Sequence, residues 1–180
     1  MKEKTLKSRE IYRGSFLDFY EDIIEKEDGQ TAKRVVIRHP GAAAILALDD
    51  RGNILLTQQF RYPIDAYTLE IPAGKIDQDE SSLMCAIREL EEETGYHPET
   101  IEHVMFFHPC LGYSDEGIDL YLAKNCKKVD YPRHMDDDES IDVVLLNPHD
   151  IAQMLESGTI TDGKTWIALL YYLNHQEKDT

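Results

Sequence analysis

Cysteine is scarce in this chain, and basic charge is outnumbered. The three cysteines, Cys85, Cys110 and Cys126, are odd in number and show no CxxC spacing. That excludes a disulfide framework and a zinc knuckle and fits a reducing compartment. Lys and Arg total 19 against 35 Asp and Glu, for a net charge of −16. A surface of that sign repels nucleic acid and anionic lipid, so neither is an expected partner. It also repels a phosphate-bearing substrate unless cations stand between, a first pointer to divalent metal. Long hydrophobic runs are absent: residues 42–48 and 166–173 are the longest, and both are far too short to span a bilayer. The opening MKEKTLKSRE lacks the apolar core of a signal peptide, so the expected location is cytoplasmic. The 7 histidines are scattered without metal-ligand spacing, and no internal repeat stands out.

What is present reads as a folded domain. Hydrophobic residues make up 42% and charged residues 30% of 180 positions, enough for one core with a small annex. Residues 9–38 alternate apolar and charged positions around a turn at Asp28-Gly29, which predicts two or three strands. His39-Pro40-Gly41 ends that pattern. Residues 42–48 predict a buried strand, 49–53 a turn and 54–60 its hairpin partner. Further strands are expected over 67–71, 101–108, 118–123 and 141–146. A helix is predicted over 81–94, with Leu83, Ala86, Ile87 and Leu90 as its apolar face and Gly95 as its cap. Asn147-Pro148 opens a second helix that stops by Gly158, and residues 166–173 lie in a third. Strands and helices in this order imply an α/β fold with a mixed sheet covered by helices.

The chemistry-bearing segment is GKIDQDESSLMCAIRELEEETGY, residues 74–96. Gly74 permits a tight turn after Pro72-Ala73. At about 100° per residue, Glu89, Glu92 and Glu93 fall within an arc of roughly 100° on one helical face. Three carboxylates so placed repel one another unless cations sit among them, and hard oxygen ligands select Mg2+ or Mn2+. The face is therefore expected to be directed to solvent and metal rather than to core. Arg88, four residues before Glu92, is placed to pair with the cluster and hold its orientation.

The same segment resembles the signature of the Nudix family: Gly, five residues, Glu, seven residues, then Arg-Glu-apolar-any-Glu-Glu-any-Gly. Gly74, Glu80, Arg88, Glu89, Leu90, Glu92, Glu93 and Gly95 fill it without insertion, and Tyr96 takes a last position more often aliphatic. A chance match of that length is on the order of one in a hundred million per position, which sets aside an ordinary solvated acidic helix. The likeness extends to Tyr12-Arg13-Gly14, Arg38 to Ala42, Gln59 to Pro63, Leu69 to Gly74 and Asp162 to Thr165, which resemble the ADP-ribose pyrophosphatase branch.

That resemblance implies an α/β/α sandwich with added N-terminal antiparallel strands. Residues 1–38 would serve dimerisation and 39–180 would form the Nudix hydrolase domain of a homodimer. It implies Mg-dependent hydrolysis of ADP-ribose or another nucleoside diphosphate sugar to a nucleoside monophosphate and a sugar phosphate. By the same carry-over, the carbonyl of Ala73 with Glu89 and Glu93 holds metal, and Glu92 assists. Arg38 and Arg61 face the substrate's phosphates or terminal ribose. Glu116, in the segment from Gly112, contacts substrate, and Phe16 stacks on the base. Glu70, just ahead of the box, is either a metal-side carboxylate or one standing behind the ligands.

Metal ligation lowers the basicity of the box glutamates, so the general base is expected elsewhere. The loop at 132–139 ends in four successive acids and leads into the last strand. In the resembled pyrophosphatases an acidic loop here supplies the catalytic glutamate, which makes Glu139 the candidate base and Asp138 its rival. Where that branch often shows Ser-Pro-Gly, this chain has Cys110-Leu111-Gly112. A broader hydrolase, including one acting on GDP-mannose, is thus a second reading, and a ligand sensor without catalysis is a third.

Overall fold

The computed structural model describes residues 2–130 and 140–176. Their contacts fall into two compact units: the chain up to Gly41 together with Phe107–Ile118, and Ala42–Phe106 together with Asp119 onward.

In the first unit, β1 (Lys4–Arg13), β2 (Asp18–Glu25) and β3 (Thr31–Arg38) form an antiparallel sheet in that order. The turn between β2 and β3 places Gly29 at φ +77°, a conformation that costs glycine nothing. Strand β2 buries Asp22 and Ile24, whereas every residue of β1 is exposed. Segment 107–118 joins this unit through β3. The Ile37 amide donates to the Tyr113 carbonyl at 2.7 Å, the Asp115 amide donates to the Ile37 carbonyl at 3.1 Å, and Ile37 bridges Ser114 in parallel.

The second unit holds β4 (Ala42–Asp49), β5 (Ile54–Arg61), β6 (Ala66–Glu70), β7 (Ala73–Lys75), β8 (Tyr96–His97), β9 (Thr100–Phe107), β10 (Ile118–Lys128) and β11 (Ile141–Leu146). They form a mixed sheet of order β11-β5-β4-β10-β8, with β6 on β5, β7 on β4 and β9 on β10. Its helices are α1 (Ser82–Thr94), α2 (Ile151–Glu156) and α3 (Gly163–Gln176). The short pieces β7 and β8, and a 3-10 turn at Tyr62–Ile64, carry too few residues to show a period in the sequence.

Residues Ala42 to Ala47 of β4 are all buried, so both faces of the strand are covered. Ala43, Ile45 and Ala47 face α1, where Cys85, Ala86 and Leu90 complete a core with Leu55, Tyr121, Ala123 and Cys126. Helix α1 begins where the Ser81 hydroxyl accepts from the Met84 amide at 3.3 Å and ends at Gly95, φ +72°. Its buried face keeps Ala86 and Leu90 of the expected apolar stripe but not Leu83. Leu83 is 40% exposed, while Cys85, Glu93 and Thr94 are buried with Ala86 and Leu90. The helix is rolled so that its small residues approach β4, a choice that spacing alone leaves open. The second helix opens at Asn147-Pro148 as a 3-10 turn before becoming α2.

Candidate active site

Strand pairing sets the site. Ala73 pairs with Ala44 and Gly74 with Ala43, which locks the turn after Pro72 against the central strand. Helix α1 then packs over β4 and β7 and brings its acids back to that turn. The Glu93 carboxylate accepts from the Ala73 amide at 3.3 Å. The Glu89 carboxylate lies against Gly74 so closely that a Cβ there would overlap its carboxyl carbon and both oxygens.

Arg88 ties the box together. Its Nε and Nη2 donate to the two oxygens of Glu80 at 2.9 and 2.8 Å. Its Nη1 donates to Glu89 at 2.7 Å and Glu92 at 2.9 Å, and Nη2 also reaches the Lys75 carbonyl at 3.0 Å. Hydrogen bonding to Glu80, above all, raises the Arg88 pKa beyond its usual value, and Arg88 in turn holds the Glu80 carboxyl below the carboxylate range. The expected pairing of Arg88 with the carboxylate cluster is met at Glu89 and Glu92. The structure adds Glu80 as its bidentate partner, a role the motif marks only as a fixed glutamate.

One expectation needs correction. The three box glutamates do not form a uniform solvent-directed face: Glu89 and Glu92 are half-buried, and Glu93 is only 7% exposed. The i, i+7 relation of Ala86 to Glu93 puts Glu93 on the stripe that meets the sheet. Among the described residues no three His, Cys, Asp or Glu side chains are gathered around a metal-sized point. The donors nevertheless suit a hard divalent cation. They are carboxylate and carbonyl oxygens, one carboxylate nearly buried and another seated where any residue larger than glycine would displace it.

A second cluster lies on the β5–β6 hairpin. Thr57 pairs with Glu70, Gln59 with Thr68 and Arg61 with Ala66, so Arg61, Thr68 and Glu70 share one face. Arg61 Nε and Nη2 grip Glu70 at 2.7 and 2.8 Å, Thr68 donates to the same carboxylate at 2.6 Å, and Lys164 of α3 also bonds it. Burial works to raise the Glu70 pKa, but Arg61, Lys164 and Thr68 outweigh it and bring the carboxyl down to about 2. Arg61, expected to face substrate, is thus anchored by Glu70 while its side chain stays 42% exposed. The role of Lys164 was not legible, since it lies far along the chain from Glu70.

The remaining candidates fall in the first unit. Arg38 Nη1 donates to Asp115 at 2.9 Å, and the His39 amide donates to the other Asp115 oxygen at 2.9 Å. Burial opposes these bonds, yet they hold the Asp115 carboxyl below its ordinary value. Phe16 stands edge-on to His39 with ring centres 6.0 Å apart, and His39 Nε2 lies 3.9 Å from Glu116. Phe16, Arg38 and Glu116 are therefore brought together around His39 and Asp115. Gly112 sits in the exposed turn of segment 107–118. Asp115, passed over in the sequence, is the residue that orients Arg38. Glu139 lies outside the described residues.

The family model described as NUDIX domain matches residues 37–168. The chain is 39% identical over 169 residues to a methanol dehydrogenase activator of Bacillus methanolicus, covering 94% of this chain and 91% of that one. It is 36% identical over 171 residues to an ADP-ribose pyrophosphatase of Bacillus subtilis, covering 95% and 92%. A crystal structure of an ADP compounds hydrolase superposes with TM-score 0.82 at 20% identity, over 99% of this chain and 96% of that one, a likeness of fold. No described helix is long and apolar enough to cross a membrane.

Proposed function

The chain belongs to the Nudix family of pyrophosphatases, and on that premise we propose that it cuts the diphosphate of ADP-ribose or a related nucleoside diphosphate sugar, releasing a nucleoside monophosphate and a sugar phosphate. The observation that carries this reading is the intact box, with Glu80, Glu89 and Glu92 held by one arginine above Gly74. The substrate class is supported by the 36% identity to a pyrophosphatase of that name across 95% of the chain. A full box also speaks against a sensor that binds without cutting.

Glu89, Glu93 and the Ala73 carbonyl would hold Mg2+ or Mn2+, with Glu92 assisting. When bound, such an ion neutralises diphosphate charge and lowers the pKa of water. Arg88 fixes the orientation of Glu89 and Glu92. Arg61 presents a guanidinium to substrate oxygens, as does Arg38. Phe16 stacks on the base, and Glu116 and Gly112 contact substrate. Glu139 takes the proton from the attacking water. Residues 1–38 serve a homodimer in the cytoplasm. The fully exposed β1, with Leu6, Ile11 and Tyr12 each about half exposed or more, supports an interface there.

The test is a pooled assay with Mg2+ on ADP-ribose, GDP-mannose, other nucleoside diphosphate sugars, dinucleoside polyphosphates and nucleoside triphosphates, reading released phosphomonoester. Turnover of ADP-ribose or a sugar nucleotide that disappears in EDTA is expected. Hydrolysis of triphosphates roughly a hundredfold faster than of every sugar nucleotide would overturn the substrate assignment. GDP-mannose in the panel decides the second reading, which the Cys110-Leu111-Gly112 segment favours.

A further inference from the structure

Lys164 stands at the start of α3, and its side chain is only 13% exposed. A lysine so largely withdrawn from water needs partners, and this one has two carboxylates. Its ammonium bonds Glu70 and lies 3.1 Å from Asp162. Charges therefore alternate along a line: Arg61, Glu70, Lys164, Asp162. A carboxylate offers about four lone-pair sites, and Glu70 meets four donors. Arg61 Nε and Thr68 Oγ1 take one oxygen, and Arg61 Nη2 and Lys164 Nζ take the other. Glu70 is saturated and fixed.

The same helix start grips the backbone beside Glu70. Thr165, fully buried, accepts from the Ile71 amide at 2.9 Å and is itself held by Asp162 through its amide at 2.9 Å and its hydroxyl at 2.6 Å. Residues 70 and 71 are thus clamped side by side, directly ahead of the Pro72-Ala73-Gly74 turn. Glu70 and Lys164 side chains are 5% and 13% exposed, Asp162 is 21% exposed, and Arg61 is 42% exposed. The most open member of the line is the arginine. Its Nε edge is bound to Glu70, and Nη1 has no hydrogen-bond partner among the described residues.

We propose that Lys164 is a positioning residue: by clamping Glu70 from behind, it holds the Arg61 guanidinium in one orientation with its free edge outward, ready for an anionic oxygen of the substrate. This rests on the reading of Arg61 as a substrate-facing group. Without the lysine, Glu70 keeps a free lone pair and can pivot, and the bidentate grip on Arg61 loosens to a single bond.

Two measurements test this. In the first, kcat and KM are determined for wild type, Lys164→Met, Lys164→Arg, Arg61→Ala and Arg61→Ala/Lys164→Met. Lys164→Met is expected to lower kcat/KM about ten- to a hundredfold, Lys164→Arg to recover most of it, and the lysine change to cost less than about twofold once Arg61 is gone. A merely structural lysine would cost the same in both backgrounds, and that result overturns the proposal. The second measurement needs no substrate. The Arg61 Nε–H signal in 15N NMR, assigned with Arg61→Lys, is slow to exchange in wild type and in Lys164→Arg, and exchanges rapidly in Lys164→Met. An unchanged signal refutes the clamp. Should Lys164→Met fail to fold, Lys164→Gln, which removes the charge, replaces it in both measurements with the same expected direction. A wild-type enzyme inactive on the whole substrate panel sinks the proposed function, while the NMR experiment still decides the clamp.

Discussion

Gly74→Ala is the smallest change that should disable the box without touching a charged group. The backbone there has no positive φ, so alanine meets no conformational strain, and the loss of unfolded-state entropy even favours it by about 0.4–1 kcal/mol. The whole effect falls on Glu89, because the added methyl would occupy the space of its carboxylate. Ordinary contact requires that carboxylate to retreat by about 1.5 Å or more, and a misplacement of even about 1 Å in a positioned group costs about a hundredfold. The retreat also strains the 2.7 Å bond to Arg88, through which Glu92 is coupled. Gly74→Ala should therefore lower kcat by about a hundredfold and raise the Mg2+ midpoint, with an unchanged circular dichroism spectrum and a Tm within a few degrees. The control is Glu89→Asp, one methylene shorter, which makes room for the methyl. In that background the glycine change should cost only a few-fold. If Gly74→Ala kept more than half the wild-type kcat with the same Mg2+ midpoint, or cost equally in the Glu89→Asp background, Glu89 would not be the metal-side carboxylate proposed here.

Glu139→Gln should lower kcat by about 10² to 10⁴ with KM and Mg2+ midpoint little changed, while Asp138→Asn stays mild; the reverse pattern moves the base to Asp138. Glu70 titrates lower in the folded protein than its ordinary 4.5, at about 2, so its contribution to stability is complete above the higher value and is lost as pH falls toward the lower. The urea midpoint of wild type should exceed that of Glu70→Gln near neutrality, and the gap should close on acidification through that window; a constant gap contradicts the ion cluster. Burial pushes the Cys85 and Cys126 thiols up to about 12, so a thiol reagent at mild alkaline pH should modify Cys110 alone in the native protein and all 3 cysteines after denaturation. Rapid native modification of more than one thiol would show that the core around Cys85 and Cys126 is open.

Features that repeat at a fixed local spacing were legible along the chain alone. The box from Gly74 to Gly95, the cap at Gly95, the hairpin at residues 42–60 and the N-terminal strands are written in periods of 3.6 or 2 and in turn residues, which depend only on near neighbours along the chain. The pairing of Arg88 with Glu92 belongs to that class, because residues four apart on a helix meet, whereas Glu80, eight residues away and ahead of the helix, does not. Tertiary structure decided the rest. Which face of α1 turned inward depended on the fit of Cys85 and Ala86 against β4, and that packing carried Glu93 into near-burial. Asp115 reached Arg38 across 77 positions because segment 107–118 pairs with β3, and Lys164 reached Glu70 across 94 because α3 begins beside β6. No local period encodes such partners. They are fixed only when strands and helices find their neighbours, and a buried charge then requires an opposite charge beside it.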